Sequence, residues 1–360
     1  MLDNLSFSRF KAYFRALEPV SLPPFSGSAF RGALGHALRA VRYGSVHHGP
    51  VKACTRCSLR SECRYGNLQA YLFESPCDHP LIRPFHEALS PRMRRETYPQ
   101  PFILDPPPGG DYGAGDLIAL PFTLVGNAIA CFPFMACALS IMGSRGVGRG
   151  RGRIQLERIV NGFPSGGGSE AESASEGGTE VAFEARAGET VIFEPESGWI
   201  VGPGEVVDID LVRARALASF TPQASPRGVG LRFVTPFRYK YEGKLGRSLT
   251  FPIFMRNLFR RFTLLSVHSP ISLDIDHGHL LSLAEGISTT RYALEWYALE
   301  RYSARQGEWM NLDGFVGEIV FSGELDQFLP YLLLGELSNV GKDGSFGLGK
   351  YELSVMTKQA

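Results

Sequence analysis

Between Ser6 and Ala16, aromatic and apolar positions, Phe7, Phe10 and Tyr13 among them, alternate with polar ones as they do along a strand with one buried face. After Pro23 and Pro24 the period changes. Phe30, Ala33, Leu34, Ala37, Leu38 and Val41 recur at three- and four-residue steps behind a serine start, which predicts an amphipathic helix over Ser26–Val41. A strand over Asp116–Val125, a helix over Phe132–Met142, a glycine and arginine loop over Gly143–Gly152 and a strand over Arg153–Val160 follow. The order returns later. Val229–Tyr241 reads as a strand, Ile253–Leu265 as a helix, Tyr292–Tyr302 and Gly314–Phe321 as strands, Asp326–Leu337 as a helix, and Lys350–Met356 as a strand after a second glycine loop.

The two halves echo each other most clearly at Phe134–Ile159 and Leu329–Val355, where an apolar helix runs into a glycine-rich loop and then a strand. Duplication is the natural reading. Each copy resembles a ferredoxin-like (RRM-like) βαββαβ unit, so the predicted class is α+β with two such units in tandem, helices on one face of an antiparallel sheet and the other face available. The expected domains are 1–161, carrying a cysteine-rich insertion at 51–80, and 227–360. Residues 162–226 connect them through a stretch rich in Gly, Ser and Glu with little to bury.

A hydrophobic content of 44% over 360 residues can fill two cores. Leu117–Met142 holds no charged residue, long enough by count for a membrane helix, but Pro121, Gly126, Asn127 and Pro133 divide it into two core elements. Residues 1–10 show no secretory or lipidation signal, so the expected location is cytoplasmic, with no membrane partner. The net charge of +1 conceals an uneven layout, since residues 161–200 contain eight Glu and one Arg. Residues 1–60 hold nine Lys or Arg against Asp3 and Glu18, a bias that attracts a polyanion such as RNA or is simply a solvated basic face.

The loop Gly143–Arg153 places Arg145, Arg149, Arg151 and Arg153 among five glycines, letting backbone approach a ligand closely while guanidinium groups reach phosphates. Its counterpart contributes Gly341, Lys342, Gly344, Gly347, Gly349 and Lys350. Both loops follow a helix and precede a strand, the reverse of a dinucleotide-binding loop, and point to RNA contact or to tight turns. Cys54, Cys57, Cys63 and Cys77 offer four thiolates for a structural zinc, with His79 as a substitute for the last, or for an iron–sulfur cluster. Cys131 and Cys137 read as core residues. Arg92, Arg94, Arg95, Arg256, Arg260 and Arg261 extend an RNA track or lie on a solvated surface.

Four segments carry a more specific signal: Arg301-Tyr-Ser-Ala-Arg-Gln, Leu312-Asp-Gly-Phe-Val-Gly-Glu-Ile, Phe328-Leu-Pro-Tyr-Leu and the run Val340–Lys350. They resemble the CRISPR repeat-processing endoribonucleases of the RAMP superfamily. Phe25–His36, the Cys54–Cys63 cluster with Tyr71–Glu74 behind it, and the Gly143–Arg153 loop are similar to that family's cysteine-containing branch. The resemblance implies recognition of CRISPR repeat RNA and one metal-independent cut of precursor RNA, by 2′-OH attack giving a 2′,3′-cyclic phosphate, with no catalytic cofactor. The alternative is a non-catalytic RNA-binding subunit that works with CRISPR effector complex proteins.

Such a cut needs a proton acceptor, a proton donor and a cation near the phosphorus. The family usually carries its acid/base histidine on or near the first helix, which makes His36 the first choice here. Arg39, Arg42 and Lys52 are candidate phosphate contacts, Tyr43 a hydrogen-bonding assistant, and His47 and His48 a rival pair. His268, His277 and His279 lie near no motif. Many family members have a histidine directly before the Val-Gly-Lys of the terminal loop; this chain has Asn339, which cannot titrate.

Overall fold

The strand β1, Phe7–Ala16, lies at the centre of the first sheet because both of its edges find partners. The computed structural model describes residues 5–41, 68–91, 93–95, 97–162, 190–195, 199–200, 228–241, 244–269, 277–303 and 307–356. β2 (Val20–Phe25) leads into the helix α1 (Gly27–Val41), and a short helix α2 (Arg83–Ala88) precedes β3 (Phe102–Leu104), β4 (Pro108–Tyr112) and β5 (Leu117–Val125). The helix α3 (Phe132–Arg145) and β6 (Ile154–Asn161) complete the unit, with β7 (Thr190–Glu194) and β8 (Trp199–Ile200) added at its edge. The sheet runs β3-β5-β1-β6-β7-β8. Its first four strands have the order of a ferredoxin-like βαββαβ unit, with β1 antiparallel to β5 and to β6.

The second unit repeats this. β9 (Gly228–Phe237) is followed by a small hairpin of β10 (Lys240–Tyr241) and β11 (Lys244–Leu245), then α4 (Phe251–Leu265) and α5 (His277–Ala284). β12 (Ser288–Tyr297), β13 (Glu300–Ser303), β14 (Glu308–Asn311), β15 (Gly314–Ser322), α6 (Leu329–Ser338) and β16 (Tyr351–Met356) follow. The sheet order β12-β15-β9-β16 matches the first unit strand for strand. The tandem α+β expectation is therefore correct. Among the details that differ, β3 and α5 were not anticipated, β3 because three consecutive buried residues show no alternation, and the expected strands Val229–Tyr241 and Tyr292–Tyr302 are each divided in two, into β9 and β10 and into β12 and β13. The charge-free stretch becomes β5, a 3-10 turn and α3, and the helical part, Gly126–Arg145, is mostly buried in the protein.

The units do not have separate cores. Leu5, Phe7, Ile103 and Val125 of the first are buried among Phe251, Phe254 and Leu258 of the second. Phe7 faces Val125 across β1 and β5, so the second unit covers one end of the sheet face expected to be open.

The segment after α6 closes the joint. A Cβ at Gly27 would collide with the carbonyl oxygen of Phe346, and one at Gly347 with Pro106. Lys350 Nζ meets Asp105 at 3.2 Å, and Arg9 meets the same carboxylate at 3.4 Å. Nearby, His268 is fully buried, hydrogen-bonded through Nε2 to the Pro99 carbonyl at 2.8 Å and edge-on to Tyr71 at 5.4 Å.

Burial pulls the His268 pKa down to about 4, with Arg261 and His79 adding to the effect against the Pro99 bond. A histidine whose folded pKa is depressed contributes stability above its unfolded value, near 6.5, and that contribution is lost as pH falls toward 4. Chemical denaturation should therefore show the protein losing about 2 kcal/mol more stability between pH 7 and pH 5 than the His268→Gln variant does. Equal losses would refute a neutral buried imidazole.

Candidate functional site

The apolar stripe of α1, Phe30, Leu34, Ala37 and Leu38, is buried, which leaves His36 facing solvent with Arg39 beside it one turn on. α1 packs along α3, whose last residue, Arg145, reaches the His36 carbonyl oxygen through Nη1 at 3.5 Å. The loop after α3 then turns back and brings Arg151 to the same place. The His36 pKa is lowered from its ordinary value, first by partial burial and then by the fields of Arg39, Arg151 and Arg145. Four residues expected from the sequence, His36, Arg39, Arg145 and Arg151, thus share one basic patch.

The glycines of this loop explain its course. Gly146, Gly148 and Gly150 have φ values of 82°, 72° and 77°. A Cβ at Gly148 would strike the Ser21 carbonyl, and Arg149 donates its backbone N–H to that oxygen at 2.8 Å. The backbone is laid against β2 while Arg145, Arg149 and Arg151 remain exposed. Arg153 differs: its backbone N–H and guanidinium bond Glu18 at 2.9 and 3.2 Å, lowering the pKa of that exposed carboxyl.

The second loop serves a different purpose. Gly344, Gly347 and Gly349 are buried, and the amides of Gly347 and Gly349 already bond the carbonyls of Gly344 and Pro236 at 3.2 and 3.0 Å. Lys342 and Lys350 are partly exposed, Lys342 with its pKa lowered by burial and Lys350 paired with Asp105. Gly341 bends the chain at φ 89° against the Arg238 carbonyl. Asn339 is buried at φ 52°, its Nδ2 donating to the Gly344 carbonyl at 3.3 Å.

Phe346 projects from this loop toward the first unit. Arg31 lies over its ring at 5.4 Å and Arg301 at 5.5 Å. The sequence reading passed over Arg31; the one signal was an aromatic inside a glycine loop. The exposed face of the second sheet is not basic, because Arg232 is paired with Glu352, and Arg291 with Glu318 at 3.1 Å. Arg261, expected on an RNA track or a solvated surface, is instead buried, with Nε bonded to the Ser338 carbonyl at 3.2 Å and a pKa pulled down to about 10 by desolvation.

Tyr43, Lys52, Cys54, Cys57, Cys63, Arg42, His47, His48 and Arg92 lie outside the described residues. Cys77 is exposed, and His79 Nδ1 accepts the Leu81 amide at 3.2 Å. No group of three or more metal-ligating side chains exists among the described residues, so nothing there supports the zinc expectation. Cys131 is buried as expected, whereas Cys137 is exposed on α3.

Residues 231–351 match the family described as CRISPR-associated endoribonuclease Cas6. A second family, described only as an N-terminal domain, matches residues 5–182. No curated protein matches in sequence. In structure, the chain is similar to a Thermus thermophilus Cas6 product complex at 15% identity and a TM-score of 0.52, over 97% of this chain and all of the other. It is also similar to a partial Cas6-RT-Cas1–Cas2 complex, at 13% identity and a TM-score of 0.51, over 99% of this chain but only 47% of the larger one. These likenesses show the Cas6 fold across both units.

The field at His36 is directly testable. In NMR titration its midpoint should fall below the usual 6.5, and Arg151→Gln should move it upward, because removing a nearby positive charge favours the imidazolium. An unchanged midpoint in the variant would separate Arg151 from the site.

Proposed function

We propose that the protein is an endoribonuclease that binds CRISPR repeat RNA and cuts it once, with His36 moving a proton at the scissile phosphate. The observation that carries this reading is the meeting of His36 with Arg39, Arg145 and Arg151 on an exposed patch of a chain whose residues 231–351 match the Cas6 family. Arginines attract the phosphate and disperse the charge that develops on the phosphorane. A histidine held below its ordinary pKa is neutral near pH 7, which suits it to accept the 2′-OH proton. The 2′-oxygen then bonds to phosphorus as the bond to the 5′-oxygen breaks, and that oxygen takes a proton from water, leaving a 2′,3′-cyclic phosphate and a 5′-hydroxyl. The nucleophile comes from the RNA itself, so the step draws on proton transfer and cationic side chains.

The exposed Arg149 extends the basic patch, and Lys342 and Lys350 extend the track across the joint. Tyr43 and Lys52 are proposed to approach the same phosphate from beyond α1. The similar structures include a product complex and a Cas6-RT-Cas1–Cas2 assembly, which supports RNA and CRISPR-associated proteins as partners.

Purified protein incubated in EDTA with its own repeat RNA should give one defined cut, and a 2′-deoxy substitution at that position should abolish it. His36→Ala should lower the single-turnover rate by roughly 10²–10⁴-fold with RNA affinity retained. The wild-type rate should rise with pH as His36 loses its proton, and this rise should be absent in His36→Ala. Tight binding without any cut would instead make the protein a non-catalytic RNA-binding subunit.

A further inference from the structure

The duplication leaves the two sheets with unequal edges. The outer strand of the first sheet, β3, has three residues, all buried, and Gly347 of the terminal loop lies against its Leu104 carbonyl. The strand in the same place of the second sheet is β12, which has ten residues and spans about 33 Å. Among the described residues it pairs with β15 alone, and Ser288–Ala293 are exposed without a break. The edge that the chain closes in one copy stands open in the other.

A long open edge presents a row of N–H and C=O groups to any passing strand, and proteins blunt such edges with bulges and charges. β12 has both, in a register shift between Thr289 and Arg291 and in the charges of Arg291 and Glu295. These two charges stand symmetrically about Ala293. All three residues lie on the outer face of the sheet, opposite Val320, Val316 and Glu318 of β15. A second β12 laid antiparallel about a two-fold axis at Ala293 therefore sets each Arg291 opposite Glu295 of the partner subunit. Arg291 bonds its own Glu318 through Nη1 at 3.1 Å and keeps further N–H donors, while Glu295 has no ion pair among the described residues.

The same alignment serves the inner face. Tyr292, 48% exposed at the rim of the second core, falls opposite Leu294 of the partner subunit, so the pairing covers its ring. A slip of two residues loses both ion pairs, and parallel in-register pairing sets like charge against like. We propose that β12 is the interface of a homodimer, in which two copies of this chain join their second sheets edge to edge about Ala293. Such an interface is self-complementary and closes at two copies. It does not depend on the RNA-cleaving function proposed above.

A joint of two single strands is small, so the dimer should form and dissociate with concentration. Sedimentation equilibrium of the full chain over a wide concentration range should show the mass rising from that of one chain to that of two. Glu295→Arg and Arg291→Glu each place like charges opposite one another twice per dimer, and each should weaken dimerisation by roughly 10-fold or more. Both are compared after their circular dichroism spectra are shown to match wild type; the exposed Arg291–Glu318 pair that the second one removes contributes little to folding. Mixed in equal amounts, the two variants should dimerise with each other, because every arginine at these positions in one chain then meets a glutamate in the other.

A wild-type chain that remains single at every concentration overturns the proposal and leaves the edge to a chain of different sequence. A dimer that neither variant weakens forms through another face, and also overturns it. Mixed variants that stay apart refute the alignment about Ala293. Should Arg291→Glu not fold, hydrogen exchange of wild type decides the matter: the β12 amides should gain protection as concentration rises, and protection confined to other elements would sink the proposal.

Discussion

Everything in this molecule depends on how closely the loop after α6 approaches the first unit. Two backbones come together at Gly27 and Phe346, and again at Gly347 beside Leu104 and Pro106, at separations that no side chain would allow. The contact is sealed electrostatically by Asp105, shared between Arg9 of the first sheet and Lys350 of the second unit. Because Leu5, Phe7, Ile103 and Val125 are simultaneously buried in the second core, the joint is a continuation of the interior. The geometry of α1, and with it the direction of His36, is therefore set by both halves of the chain.

The two glycine loops descend from one pattern and have diverged in use. The first keeps its arginines in solvent, and its glycines serve to press the backbone onto β2. The second has turned its glycines inward, where their amides bond other protein carbonyls, and it presents Phe346 to the opposite unit. A repeated motif can thus supply an electropositive rim in one copy and a structural wedge in the other. The field that depresses the His36 pKa is the same field that would draw in a phosphate, and an arriving phosphate would offset it. In the proposed function, binding and proton transfer would be coupled through that charge.

Much of this was legible in the residues. Period-two and period-3.6 patterns located β1, α1, β5, α3, β9, α4 and β16 to within a few positions, because each buries one face against a sheet or helix. The duplication was readable from the shared helix, loop and strand order. β3 escaped because three buried residues, Phe102–Leu104, carry no period, and the break at Ala298 and Leu299 escaped because the apolar pattern runs on through it. The sequence suggested His36 and the first loop separately; only the packing of α1 on α3 joins them. Arg261 was misread because one arginine of a basic run points inward, which composition does not reveal. The burial of the second loop was equally invisible, since a glycine that permits a turn and a glycine that permits contact are the same residue.

The wedge also orders events in time. Phe346 is translated about 180 residues after the first unit is complete at Asn161, which at ordinary elongation rates is roughly 10–40 s. During that interval Phe7, Ile103 and Val125 have no second core to enter, and the groove over Gly27 stands open. A nascent chain of this kind carries an unfinished apolar surface for most of its synthesis, and it is a natural client for chaperones that shield such surfaces until the closing segment emerges.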